Sequence, residues 1–330
     1  MIRFGTLGAA RITQLALIEP CAADARATVR VVAARSLQRA QKFASKHGIE
    51  HVVADYQAVI DHPEVDVVYV PLPITAHREW TIKALAAGKH VLCEKSFACN
   101  AAEAEEMAAA ARDSGLVLMD AFHYRYHPLF IRAREIYASG QLGKIKQVSA
   151  DFHIPITDNS DIRMNYETGG GVTMDIGCYP ISWVRHITAS EPVSVTAEAE
   201  VGPKDVDIYL EAQMQMAGGV VANICGDMRA SAKFRADIVV TGDKGVMKVN
   251  NPIAPQLGNS IKVTIDGETS TEHFDRRTTY SYQLDAFIEA VERPASERTP
   301  LLTGPDDAVK QMRAIDQCYS AAGLKLRGLR

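Results

Sequence analysis

The chain has 330 residues, 47% of them hydrophobic and 23% charged. These are ordinary globular values that exclude a disordered, collagen-like or coiled-coil protein and suit two domains. Its 36 Lys and Arg against 40 Asp and Glu leave a net charge of −4, without the basic footprint of a nucleic-acid binder. A small soluble ligand is the expected partner.

No apolar run approaches the roughly 20 residues that span a bilayer, so no membrane association is expected. Met1-Ile2-Arg3-Phe4-Gly5 opens directly on a strand-like run and lacks the features of a signal peptide. The six cysteines, Cys21, Cys93, Cys99, Cys178, Cys225 and Cys318, form no C-x-x-C pair. They read as reduced, mostly buried thiols of a cytoplasmic protein, with no metal site expected.

In chain order the predicted elements are strand Ile2–Leu7, helix Ala10–Cys21, strand Val29–Ala34, helix Leu37–His47 and short helix Asp55–Asp61. Strand Val65–Val70, helix His77–Ala87, strand His90–Cys93, helix Ala101–Ser114 and strand Val117–Met119 follow. Near-continuous apolar strands separated by helices mark a parallel sheet covered on both faces. Residues 1–122 are therefore expected to form a Rossmann-type, doubly wound dinucleotide-binding domain in an α/β chain.

After a helix at about 128–139 the period changes from 3.6 to 2. Val193, Val195, Ala197, Ala199 and Val201 alternate with Ser194, Thr196, Glu198 and Glu200. Val206, Ile208, Leu210, Ala212, Met214 and Met216 alternate with Asp207, Tyr209, Glu211, Gln213 and Gln215. Further strands are expected at Val220–Cys225, Ala236–Thr241 and Ile261–Ile265, then helices at Tyr280–Val291 and Asp306–Ala322. Residues 123–330 thus read as an α+β domain with a large, open, mainly antiparallel sheet, polar on one face.

The chemistry starts at the first turn, Gly5-Thr6-Leu7-Gly8-Ala9-Ala10-Arg11-Ile12. Small residues between a strand and a helix let the backbone approach a pyrophosphate at the helix N-terminus. The G-x-x-G-x-A spacing departs from the usual fingerprint, and a ligand-free strand–helix turn is the alternative reading. The second strand ends Val31-Val32-Ala33-Ala34-Arg35-Ser36, without the acid that NAD sites place there for the ribose diol. A guanidinium beside a hydroxyl suits a 2′-phosphate, so NADP is expected, with NAD possible. The alternative is an ordinary solvated Arg35.

Lys95 follows a parallel strand, at the carboxyl end where an open α/β sheet puts its ligands. Asp175 and Tyr179, four apart, share a face if helical, while Pro180 implies a kink or helix restart. A free Tyr, with a pKa of about 10, is a poor base at neutral pH, and a nearby ammonium favours its phenolate. His123 and His127 are also four apart, but no third ligand follows at metal spacing, so they read as satisfied or interfacial histidines.

Pro71-Leu72-Pro73-Ile74-Thr75-Ala76-His77, Glu94-Lys95-Ser96 and Gly169-Gly170-Gly171-Val172-Thr173-Met174-Asp175-Ile176-Gly177-Cys178-Tyr179, together with the first turn, resemble the Gfo/Idh/MocA oxidoreductases. The likeness covers essentially the whole chain. Within that family it points to the branch of dimeric dihydrodiol dehydrogenases, glucose–fructose oxidoreductases and related sugar dehydrogenases. The resemblance implies catalytic roles for Lys95, Asp175 and Tyr179. It implies cofactor contacts from Gly5, Gly8, Ala9, Ala10, Arg11, Ile12, Arg35, Ser36, Pro71, Leu72, Pro73, His77, Glu94 and Lys95. Arg125, Arg163 and Asn165 are cleft candidates for polar groups of the substrate or cofactor. Ser96 stands where the family usually has Pro, and Ile74 where Asn is common.

The implied activity is NADP-dependent hydride transfer to or from a secondary alcohol or ketone of a sugar, inositol or trans-dihydrodiol-like substrate. A homodimer through the second domain's sheet is also implied. Two other functions are compatible with this fold: an NAD-dependent glycosidase that recycles its cofactor, and a non-catalytic NAD(P)-sensing regulator. The intact Lys95, Asp175 and Tyr179 set argues against the regulator.

Overall fold

In the computed structural model, which describes residues 1–329, fourteen strands form two sheets. The chain divides into two compact units. One comprises residues 1–98, 102–123 and 280–309; the other comprises 99–101, 124–279 and the chain from 310 onward. The units are not contiguous in the chain, because residues 280–309 return to the first unit. Helix Thr279–Glu292 explains the return: its buried Phe287 lies 5.9 Å, centroid to centroid, from Phe4. Asp285 also takes the Arg26 guanidinium at 2.5 Å.

The first unit holds strands β1 (Ile2–Leu7), β2 (Ala27–Ala33), β3 (His51–Val52), β4 (Val67–Val70), β5 (His90–Cys93) and β6 (Leu118–Asp120). They run parallel in the order β3-β2-β1-β4-β5-β6. Strand order therefore reverses between β1 and β4, the switch point where open α/β sheets bind ligands. Helix Leu37–His47 starts where Ser36 Oγ accepts the Arg39 N–H and ends at Gly48, φ 70°, a serine N-cap and a left-handed glycine stop. The first helix begins later than its pattern predicts, as a wide π-type turn Gln14–Ile18 followed by Glu19–Ala22. Pro20 has no N–H for the carbonyl four residues back and its ring crowds that carbonyl, which disfavours regular α geometry there.

The second unit holds β7 (Ile145–His153), β8 (Pro192–Val201), β9 (Asp207–Met216), β10 (Val221–Asp227), β11 (Arg235–Gly242), β12 (Gly245–Asn250), β13 (Ser260–Ile265) and β14 (Glu268–Glu272). Their order is β14-β13-β12-β11-β7-β10-β9-β8, antiparallel except for the β7–β10 pair. One face buries Val148, Ala150, Leu210, Ala212, Ile224 and Ile238, and the polar residues alternate with them as the period of 2 requires. Two details depart from that pattern. Val193 and Val201 are 66% and 48% exposed, and each sits at a register shift at one end of β8. Asp207, expected on the polar face, is buried and accepts the N–H and hydroxyl of Thr173 at 2.8 and 2.5 Å and a bond from Arg327. The register shift opposite it, between Glu200 and Val201, accompanies this local departure.

Asp175 and Tyr179 fall in two consecutive helical pieces, a π-type turn Thr173–Gly177 and the α-helix Cys178–Thr188. Pro180 lies in the first turn of the second piece, where its missing N–H costs nothing, so the chain restarts without a mid-helix kink. Among the described residues no helix is long and apolar enough to cross a membrane.

Candidate active site

At the switch point β1 runs into Gly8, whose φ of +107° is open to glycine and not to ordinary L-residues. A Cβ at Gly8 would stand at ordinary contact distance, 3.4 Å, from Leu72 Cδ2, so the positive φ and not crowding calls for glycine here. Gly5 has a different task. A Cβ there would come within 2.5 Å of Val59 Cγ1 and 2.9 Å of Val65 Cγ2, so Gly5 serves packing inside β1. Ala9, Ala10 and Ile12 are half-buried and Arg11 is exposed, ahead of the helical start at Thr13. Arg39, not singled out by the sequence pattern, donates from Nη2 to Ala9 O at 3.0 Å. Arg35 and Arg39 both bear electrostatically on Tyr56, lowering a phenol pKa that burial raises. Two guanidiniums therefore stand by the turn, and no acid ends β2. This donor set fits a dinucleotide carrying a 2′-phosphate.

Next to it, at the ends of β4 and β5, His77 is buried with both ring nitrogens against carbonyls. Nε2 lies 2.8 Å from Leu72 O, and Nδ1 lies 3.0 Å from Ser96 O and 3.3 Å from Phe97 O. The ring thus ties the Pro71–Pro73 loop to the segment that carries Lys95, rather than facing a ligand. Burial lowers its pKa, the carbonyl bonds oppose that, and the Lys95 charge lowers it further. The Lys95–Ser96 peptide is cis. Glu94 accepts the Tyr69 hydroxyl at 2.7 Å on Oε1 and the Lys95 N–H at 3.3 Å on Oε2.

Asp120, which closes β6 opposite Cys93, was also absent from the sequence-level candidates. Its carboxyl is buried with neither oxygen hydrogen-bonded. Burial, then the charges of Asp307 and Glu94, pushes it well above the usual carboxylate range, with Lys95 pulling the other way. An acid closing the apolar run Leu118-Met119 was the available signal for it.

In the second unit Gly170 and Gly171 pack under the 163–165 segment. A Cβ on Gly170 would meet Arg163 O at 2.4 Å and Asn165 O at 2.7 Å, and Gly171, at φ +126°, donates to Arg163 O at 2.9 Å. The glycines thereby bring Arg163 Nε to 3.0 Å from Asp175 Oδ2. Asn165 Oδ1 accepts the Glu167 N–H at 3.1 Å as a local cap. Arg125 is buried. Tyr179 is only 5% exposed, with its ring edge-on to Phe152 at 5.5 Å and tilted against Trp183 at 6.2 Å and Tyr124 at 6.1 Å. Three aromatic neighbours fix the ring plane and its direction. His127 is spent as a cap, with Nδ1 accepting the Leu129 N–H at 3.1 Å, and His123 stacks on Tyr280 at 4.1 Å.

Two family models match the chain: the oxidoreductase family, NAD-binding Rossmann fold, over residues 2–122, and the GFO/IDH/MocA C-terminal domain over residues 130–248. The chain belongs to the Gfo/Idh/MocA oxidoreductase family, NAD(P)-dependent dehydrogenases and reductases acting on hydroxyl or keto groups of sugar-related compounds. It is 31% identical over 324 residues to D-xylose 1-dehydrogenase (NADP(+)) 2 of Haloferax volcanii, covering 97% of each chain. It is 30% identical to trans-1,2-dihydrobenzene-1,2-diol dehydrogenase of Xenopus tropicalis, covering 78% of this chain and 79% of that one. Among solved structures it is similar to KijD10, a 3-ketoreductase from Actinomadura kijaniata in complex with NADP and TDP-benzene, with a TM-score of 0.87, 28% identity and 97% coverage of each chain.

Proposed function

We propose that this chain is an NADP-preferring oxidoreductase acting on a secondary alcohol or ketone of a sugar, inositol or trans-dihydrodiol-like substrate, as a cytoplasmic homodimer. The observation that carries the cofactor preference is the pair Arg35 and Arg39 beside the Gly8 turn, with no acid at the end of β2. The substrate class rests on relatives named for xylose, a dideoxyglucose nucleotide and a dihydrodiol.

The bound nicotinamide supplies the hydride acceptor or donor. Tyr179 carries the proton of the reacting hydroxyl, its ring held in one plane by Phe152, Trp183 and Tyr124. Lys95 donates to the substrate oxygen, and His77 fixes the segment it stands on. Asp175, itself oriented by Arg163, accepts from a second hydroxyl and sets the substrate's register. Positioned proton transfer of this kind contributes about 10²–10⁴-fold.

The test is a screen of sugars, inositols and dihydrodiols for reduction of NADP and NAD, joined to calorimetry with both cofactors. NADP(H) should bind more tightly, and Arg35→Ala should cost it about 1.5–3 kcal/mol while barely touching NAD(H). Equal affinities in the wild type would overturn the preference. Glycoside cleavage without net cofactor reduction would replace the dehydrogenase reading with the glycosidase one.

A further inference from the structure

The open face of the eight-stranded sheet carries a cluster that the hydride chemistry does not use. Asp151 and His153, two apart on β7, point to the same face, and the parallel neighbour β10 sets Cys225 beside Asp151. A carboxylate oxygen, an imidazole nitrogen and the thiol sulfur from these three residues all lie within 4.8 Å of one another. His153 Nε2 is buried with no hydrogen-bond partner, and a buried polar atom of that kind calls for an explanation, such as a bound ion. Cys225 is half-buried, whereas the other five cysteines are buried.

We propose that Asp151, His153 and Cys225 form a binding site for a zinc-class divalent cation. A tetrahedral ion with bonds of about 2.0–2.3 Å holds its ligand atoms about 3.5 Å apart, so small side-chain rotations on two rigid strands close the site. Sulfur and nitrogen donors select zinc-like ions over calcium or magnesium, which take oxygen. Of the acidic strand neighbours, Glu211 opposite Cys225 favours a dication, whereas Asp227 opposite His153 is already paired with Arg229 at 2.8 Å. Arg235 opposes a cation: its Nη2 pairs with Asp151 Oδ2 at 2.8 Å, so the ion competes with a guanidinium for this carboxylate.

Ligation needs the Cys225 sulfur as a thiolate. On binding, the S–H bond breaks, the sulfur–metal bond forms, and the proton leaves to solvent. Three protein ligands leave the fourth position to water.

Zinc chloride titrated into the full chain against a chromophoric chelator should show one ion per chain. Cobalt(II) chloride should give the near-ultraviolet band of a thiolate–cobalt bond. Cys225→Ser should abolish that band, and His153→Ala should weaken zinc by more than the roughly 10–100-fold that outer-shell changes cost. Far-ultraviolet circular dichroism would check that both variants fold. The wild-type cobalt spectrum needs no variant at all: without a thiolate band the site is refuted. Binding that survives Cys225→Ser unchanged, or that needs millimolar zinc, overturns it equally.

Discussion

Tyr179 and Lys95 are the residues on which the proposed chemistry stands or falls. Tyr179→Phe removes only an oxygen from a ring held by Phe152, Trp183 and Tyr124, so packing survives and the proton carrier does not. It should lower kcat about 10²-fold or more with cofactor affinity near wild type. Lys95→Ala should be at least as damaging, and the double variant little worse than either, because residues acting as one unit are not additive. The deciding measurement is kcat against pH: wild type should show an ionisation that Tyr179→Phe loses. If the variant keeps most of its activity and the same profile, Tyr179 is a core aromatic and another group moves the proton. These candidates were legible because they lie in contiguous motifs. Gly5 shows the limit of that reading: the motif marks it as a cofactor glycine, yet Val59 and Val65 press on it from about 54 and 60 residues along the chain. Arg39 and Asp120 were missed because their setting comes from neighbouring elements, which no local pattern displays.

Among the elements, strongly periodic segments are legible and weakly patterned ones are not. Leu37–His47, His90–Cys93 and Ala101–Ser114 fall where the pattern puts them, each with its own cap or apolar run. The central strand β7 gave no clear signal, because Ile145-Lys146-Gln147-Val148-Ser149-Ala150-Asp151-Phe152-His153 mixes small and polar residues. Its pairing with β10 and β11 makes it a strand. That omission also hid the metal cluster, whose ligands are split between β7 and a strand paired with it 74 positions later.

At β5 the first residue carries a pH-dependent contact. His90 Nδ1 accepts the Val117 N–H at 2.9 Å, which joins β5 to the segment entering β6. Burial first, then Arg298, lowers the His90 pKa to about 4. The unfolded imidazole, near 6.5, binds protons that the folded one refuses, so stability rises with pH through this window. The contribution is complete above about 6.5 and is lost as pH falls towards 4. Thermal unfolding followed between those values should show a drop that His90→Gln, which can still accept the N–H, reduces. An unchanged pH slope in the variant would show that His90 does not cause the drop.

For the whole molecule the open question is what meets the polar face of β8, β9, β10 and β7. Ser194, Thr196, Glu198 and Glu200 on β8 face the same side as Tyr209, Glu211, Gln213 and Gln215 on β9, and Gln213 Nε2 bonds Asn223 Oδ1 at 3.2 Å. Such a face can stay in water. If two copies instead pair across it, the contact is isologous, and each acid meets the partner's acidic face. With a chain charge of −4, the pair should be hydrated, polar and strengthened by salt. Raising ionic strength from about 0.01 to 0.15 M shortens the screening length from about 30 to 8 Å. Light scattering at micromolar concentration should therefore report a dimer whose dissociation falls as salt rises. Gln213→Glu, nearly isosteric, adds one like charge per copy near the middle of this face. It should promote dissociation at low salt, with recovery at high salt, and leave the thermal unfolding of the second unit near wild type. A monomeric mass for the wild type at both salts would remove the sheet as a pairing surface. A dimer indifferent to both salt and Gln213→Glu would move the contact to another face.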